Sequence, residues 1–317
     1  MKSLVTGAAG FIGSHLCEYL IEKGFEVVGI DNFMDYYPRS IKEASIADLR
    51  KHQNFEFVEA SLVQVDLTKL LDGVDVVFHQ AAQAGVRASW GQNFKIYSDN
   101  NIVATQMLLE ACRERPVNKF VYASSSSVYG DTRDLPMRES SLPCPVSPYG
   151  VSKLAAEHLC FLYCKNFGIP AVSLRYFTVY GARQRPDMAF HRFFTWALQD
   201  KPLKVYGDGE QSRDFTHVDD IVEANWLALE KALPGEVFNI GGGSRITLNG
   251  VIEIIKEIAG RELEVDYQAK QKGDVRHTMA DMTKAKEKLG YKPKVSIQDG
   301  LQTEYEWIRD LVEWSSS

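Results

Sequence analysis

Residues 6–16 read TGAAGFIGSHL, preceded by the apolar run SLVT (3–6) and followed by a helical pattern. Gly7, Gly10 and Gly13 recur every third residue, between a strand and a helix. Small residues there let the backbone approach a pyrophosphate, which free N–H groups and the helix dipole then hold. A three-glycine turn can also be only a tight connection, and the spacing is G-x-x-G-x-x-G instead of the commoner G-x-G-x-x-G. The second strand decides between them. That apolar run, FEVVGI (25–30), leads to Asp31, 18 residues past Gly13. A carboxylate at that strand end accepts hydrogen bonds from adenosine ribose hydroxyls and repels a 2′-phosphate, so NAD is expected over NADP. Arg39, a little downstream, is the rival feature, since it could serve a phosphate.

Outward from this turn, apolar β-branched runs alternate with helical stretches: FEFV (55–58), VDVVFH (74–79), KFVYAS (119–124) and AVSLRYF (171–177). Alternation of this kind predicts a parallel sheet, and continuous apolar runs predict that helices cover both of its faces. The expected class is α/β with a doubly wound parallel sheet of Rossmann type. One helix is well punctuated: Ser147 caps it, Pro148 takes its first position, and Gly168 with Pro170 ends it. After Tyr180 the alternation fails, with an Arg/Pro loop GARQRPDMAF, a short strand LKVYG, a helix VIEIIKEIAG and a polar stretch at 266–281. The organisation predicted is a cofactor domain over 1–177, to which the chain returns around 213–242 through EVFNIGGG, and a smaller substrate-binding lobe over 178–317.

The 317 residues are 45% apolar and 25% charged, which excludes a disordered, collagen-like or disulfide-scaffold chain. With 36 basic and 42 acidic residues the net charge is −6, so no global basic field exists to hold nucleic acid or an acidic membrane. The opening MKSLVTGAAG has too few apolar residues for a signal-peptide core, and no run reaches a membrane span; a cytoplasmic protein is expected. Five cysteines, of which only Cys160 and Cys164 are close, read as reduced thiols, and no metal site is expected.

Tyr149 and Lys153 lie four apart on the capped helix and therefore share one face. Alone, YxxxK is an amphipathic surface pair in many helices. Here it comes after a strand that runs into SSSS (124–127), behind a glycine turn. That conjunction is far more specific than any one of its parts, and a phenol near pKa 10 is a poor base at neutral pH unless nearby positive charge favours its ionised form.

TGAAGFIGSHL, Asp31, SSSSVYG (124–130), SPYGVSK (147–153), LRYFTVYG (174–181) and QSRDFTHVDD (211–220) together resemble the extended short-chain dehydrogenase/reductase family of nucleotide-sugar epimerases and dehydratases. The resemblance covers nearly the whole chain. It implies Tyr149 as catalytic acid/base, Lys153 as the nicotinamide-ribose ligand that lowers the tyrosine pKa, and Ser125 as a bridge to the reacting hydroxyl. It adds Phe11, Ile12, Asn32, Ala81 and Ala82 to the cofactor contacts. Asp66, Leu67 and Asn101 are implied as well. A homodimer built on helices of the cofactor domain is a further implication of the resemblance.

Family dehydratases carry an acidic pair after the catalytic Ser or Thr; this chain has Ser126 and Ser127, so epimerisation with retained NAD is expected. GARQRPDMAFHRF (181–193) and GVRASW (85–90) are similar to the UDP-glucuronate 4-epimerase branch, and Thr178-Val179 stands where galactose-type members carry Asn-Pro. By that resemblance Arg185 meets the sugar carboxylate, helped by Thr178, Ser126 and Ser127. Read from composition alone, Arg185 is a solvated loop arginine. Arg87 has the same ambiguity as Arg185 with less support, while Arg213 and Arg276 are implied as diphosphate ligands, Arg192 as a weaker third, and Tyr206 as lining the uracil. His79, His191 and His217 suggest no catalytic dyad. Two other readings stand beside this one: a neutral-sugar 4-epimerase acting on UDP-glucose or UDP-N-acetylglucosamine, and a nucleotide sensor that keeps the fold without the chemistry.

Overall fold

The computed structural model describes residues 1–271 and 273–315, so one residue of the polar stretch, Lys272, lies outside the described residues. Twelve strands occur among the described residues. Seven form one sheet: β1 (Lys2–Thr6), β2 (Glu26–Asp31), β3 (Phe55–Glu59), β4 (Val76–His79), β5 (Lys119–Ser125), β6 (Ala171–Tyr176) and β10 (Val237–Ile240). Their order is β10-β6-β5-β4-β1-β2-β3, and every pairing is parallel.

Alternate residues of each central strand enter opposite cores. Val5, Val76, Phe78 and Val121 pack beneath the helices Phe11–Glu22 and Val218–Lys231. Leu4, Val77, Phe120 and Tyr122 pack beneath Ala104–Glu114 and Pro148–Phe167 on the other face. Both faces being dry explains why the strands read as continuous apolar runs. The order reverses between β1 and β4, and at such a switch point the helices leave opposite faces and open a crevice at the strand ends.

The helix Pro148–Phe167 has the predicted punctuation: Ser147 Oγ accepts from the Gly150 N–H at 3.1 Å, and Gly168 closes it at φ 73°. At Phe177 the chain leaves the main sheet. Its next residues form β7 (Thr178–Tyr180), in a three-stranded sheet with β9 (Ser212–His217) and β11 (Arg245–Thr247). β8 (Leu203–Tyr206) pairs with β12 (Val265–Gln268), a strand inside the stretch read as merely polar; its half-exposed position hides the strand alternation. Phe190, Phe194, Val205, Phe215, Ile252 and Leu301 make a third core there.

Candidate active site

The glycine turn is sterically committed. Gly7 adopts φ 71°, and a Cβ on it would lie 2.8 Å from the Ala81 nitrogen just past the end of β4. On Gly13 a Cβ would fall 2.0 Å from the Gly7 carbonyl oxygen. Gly10 begins the helix Phe11–Glu22 without any side-chain cap, and no acid occupies its first turn. Its first N–H groups are thus available to an anion. Asp31 is buried at the end of β2, where Oδ1 accepts from the Phe33 N–H at 2.8 Å and Oδ2 from the Ala9 N–H at 3.3 Å. Arg39 pairs with Glu43 and Glu59 on the surface and is not among the residues that line the cleft at Asp31.

These features line one cleft. Gly7, Gly10, Phe11, Ile12, Gly13, Asp31 and Asn32 form one wall. Ala81, Ala82, Tyr149 and Lys153 form another. The shape and donor set fit a dinucleotide: backbone N–H groups at a helix start, and a carboxylate one strand away. Sequence reasoning missed Lys42, whose buried ammonium sits 3.7 Å from Asp31 Oδ1 and is depressed in pKa mainly by desolvation.

Three expected cofactor residues, Asp66, Leu67 and Asn101, are not among those that line the cleft. Asp66 is exposed, capping the short helix Leu67–Leu70 by accepting from the Lys69 N–H, and Leu67 is part of the core. The cleft there is lined instead by Ala60 and Leu62, just past the end of β3. Asn101 is buried beneath the cleft wall: it accepts from the Gln83 N–H at 2.7 Å and donates to the Gln83 carbonyl at 3.0 Å and Ser152 Oγ at 2.8 Å. It shapes the wall while its neighbour Asn100 lines it.

Ser125 ends β5, and its Oγ accepts from the Ser127 N–H at 3.1 Å, which orients the hydroxyl. Burial raises the Tyr149 pKa, opposed by a hydrogen bond with Ser125 and by the positive charge of Arg185. Lys153, buried one turn on, is brought down to about 7 by desolvation, against the pull of Cys160 and Glu157. The two groups that favour the ionised phenol are therefore Ser125 and Arg185, a pairing the helix spacing did not suggest. Below them Glu157 accepts from Ser124 Oγ at 2.6 Å and forms a fully buried two-point pair with Arg175 on β6. That pair ties the reactive helix to the two strands under it.

A second cavity shares the wall made by Tyr149, Ser124, Tyr176 and Arg185. Ser125, Ser126, Ser127, Thr178 and Arg192 line it, as do Arg87 and Tyr206, whose guanidinium and ring stack at 4.5 Å. Arg87 is also held by Asp274 at 2.7 Å. Arg213 and Arg276, the two expected diphosphate ligands, are not among the residues that line this cavity. Arg213 spends its guanidinium on the carbonyls of Ser212, Val275 and Arg276, and Arg276 pairs with Asp208. Any guanidinium suits a carbonyl or a carboxylate as well as a phosphate. Tyr36, Asp187, Trp196, Lys204 and Gln211 line the cavity without any signal in the sequence that marks them. His79 is a core residue, bonded to Thr6 and Thr105 and held neutral, its pKa down to about 3 through burial.

A glycine-turn cleft joined to a second cavity at Tyr149, with Lys153 on the first side and Ser125 on the second, defines a class, and the comparisons agree. Residues 3–241 match the NAD dependent epimerase/dehydratase family, and the chain belongs to that family. It is 49% identical over 315 residues to the Bacillus subtilis (strain 168) protein named uncharacterized UDP-glucose epimerase YtcB, covering 99% of each. It is 39% identical to the UDP-glucuronate 4-epimerase of Thermodesulfobacterium geofontis (strain OPF15), covering 98% of this chain and 97% of that one. Among solved structures, UDP-glucuronic acid 4-epimerase from Bacillus cereus, in complex with UDP-glucuronic acid and NAD, matches with TM-score 0.96 and 49% identity. That match covers 98% of this chain and 100% of the other.

Proposed function

We propose that this protein is a UDP-glucuronate 4-epimerase, interconverting UDP-glucuronate and UDP-galacturonate with NAD as a resident cofactor. The observation that carries the reading is the position of Arg185, a cation that shares with Tyr149 the wall between the two cavities. A group that takes the proton from O4 of a sugar ring stands one ring carbon from C5, which bears the carboxylate of a glucuronate. A guanidinium beside that acid/base group suits a uronic acid, and its planar fork suits a carboxylate.

In this mechanism Tyr149 takes the proton from the 4-hydroxyl and later returns it to the oxygen of the 4-ketone once the sugar has turned its other face, while Ser125 holds that oxygen. Bound NAD supplies a hydride acceptor and donor at C4, so no net redox occurs. Gly7, Gly10, Gly13 and Asp31 would hold the cofactor, and Lys153 would bind its ribose. Arg185, with Ser126, Ser127 and Thr178, would keep the carboxylate paired. That pairing matters because a β-keto acid loses carbon dioxide readily when its carboxylate is desolvated and unpaired. Charge-assisted hydrogen bonds stabilise the anion relative to the neutral product of that loss.

The same reading assigns residues 1–177, with the return at 213–242, to cofactor binding and most of 178–317 to the nucleotide sugar. It also assigns a homodimer in the cytoplasm. Support for the dimer comes from Ile96 and Val103 together with Val151 and Leu162 of the helix Pro148–Phe167, large apolar side chains left exposed. No described helix is long and apolar enough to cross a membrane.

Two relatives' names, a UDP-glucose epimerase and a putative UDP-glucose 4-epimerase, favour a second reading, a UDP-glucose 4-epimerase. The two separate when purified protein, with no added cofactor, is incubated with UDP-glucuronate, UDP-glucose and UDP-N-acetylglucosamine separately, and products are identified by proton NMR. UDP-galacturonate from the first alone is expected. Reaction of the neutral sugars alone would establish the second reading.

A further inference from the structure

Arg185 is not a free cation in the cavity. Its Nε–H donates to Asp187 Oδ1 at 2.9 Å and its Nη2 to Asp187 Oδ2 at 3.1 Å, a two-point grip on one edge of the guanidinium. Asp187 Oδ2 also accepts from the Tyr36 hydroxyl at 3.1 Å, and the Arg185 guanidinium lies 5.8 Å from the Tyr36 ring centroid. Tyr36 is itself wedged: a Cβ on Gly85 would stand 2.3 Å from its hydroxyl oxygen. Burial pushes the Asp187 pKa up, but Arg185 more than offsets it and holds the carboxyl below the usual carboxylate range, so it stays ionised.

A guanidinium has five N–H donors in a rigid plane. Asp187 takes two on the Nε–Nη2 edge, which leaves both hydrogens of Nη1 and the second of Nη2 as an outward fork. A long, unbranched side chain gripped on one edge loses its freedom to rotate, and what remains is aimed. We propose that Asp187 is the positioning residue of the carboxylate clamp, fixing Arg185 so that its outer fork receives the C5 carboxylate, with Tyr36 steadying Asp187. This rests on the uronate reading above. It also accounts for a carboxylate lying beside a site that accepts an anion: the cost of its repulsion is offset by an oriented donor pair.

The test compares kcat and KM for UDP-glucuronate, and the inhibition constant of UDP, across the NAD-bound wild type and the variants Asp187→Ala, Asp187→Asn, Arg185→Ala and the Arg185→Ala/Asp187→Ala double variant. Asp187→Ala is expected to lower kcat/KM about tenfold or more, chiefly through KM, as expected for hydrogen bonds to a charged group. UDP lacks the carboxylate, so its inhibition constant should stay within about twofold. Asp187→Asn, nearly isosteric and keeping one acceptor oxygen, should fall between wild type and Asp187→Ala. In the Arg185→Ala background, loss of Asp187 should add nothing, since it acts through the absent arginine. Additive losses, a UDP constant that worsens in step with KM, or an Asp187→Ala enzyme with wild-type kcat/KM would each overturn the proposal. An Arg185→Ala enzyme with unchanged kcat/KM would instead overturn the carboxylate clamp itself.

Discussion

The two clefts are built from different materials. The cofactor cleft is made of backbone: a glycine turn with no room for a Cβ, an uncapped helix start, and a carboxylate fixed by two N–H groups at a strand end. The substrate cavity is made of side chains delivered by loops far apart in sequence, held by one another through pairs such as Arg87–Asp274 and Arg185–Asp187. Backbone sites tolerate little change because sterics define them. Side-chain sites can be re-specified residue by residue, which suits a family whose members share a cofactor and differ in sugar.

Several substitutions would break or sharpen this contrast. The largest effect falls on the wall that both clefts share: Tyr149→Phe should cut kcat by about 10²–10⁴, the usual contribution of a positioned acid/base group, while NAD content and UDP affinity hold. Loss of either ligand would mean that the phenol is structural. Next comes Gly13→Ala, whose added Cβ meets the Gly7 carbonyl. It should purify with little NAD, assayed by absorbance after denaturation, and retain UDP binding if the two clefts are independent.

Under the shared wall, Glu157→Gln leaves Arg175 as a buried cation with a weakened partner. A loss of stability of about 3 kcal/mol is expected in denaturant unfolding, and a much smaller loss would show that the pair is screened. The last effect, spread over several pH units, is a pH dependence. Lys153 has a folded-state pKa near 7 against 10.5 in the unfolded chain. Between these values the unfolded chain binds more protons, so this group makes stability rise with pH through that window and contributes no slope below it. Lys153→Met removes the term. In cofactor-free protein its advantage in Tm at pH 7 should shrink steadily toward pH 10, and a constant difference would contradict the burial of the ammonium.

The same contrast explains which features are legible in the sequence. Local rules write the glycine turn, the capped helix from Ser147 to Gly168 and the apolar strands, because sterics and hydrogen bonding act over a few residues. Asp31 is legible as the acid ending a strand. An Asp before Leu, such as Asp66, suits a cofactor contact and a helix N-cap equally, so its sequence context does not separate the two. Arg213 and Arg276 are ambiguous in the same way, since a cation fits a phosphate, a carbonyl or an Asp. Tyr36 and Asp187, 151 positions apart, have no shared pattern; only the fold makes them partners.

The central claim is that the sugar is turned over at C4 with its own hydrogen returned. UDP-glucuronate carrying deuterium at C4, incubated with the purified enzyme in ordinary water and followed by NMR and mass spectrometry, tests it directly. UDP-galacturonate that retains the deuterium at C4 is predicted, whereas product formed with that label exchanged for solvent hydrogen would contradict the account.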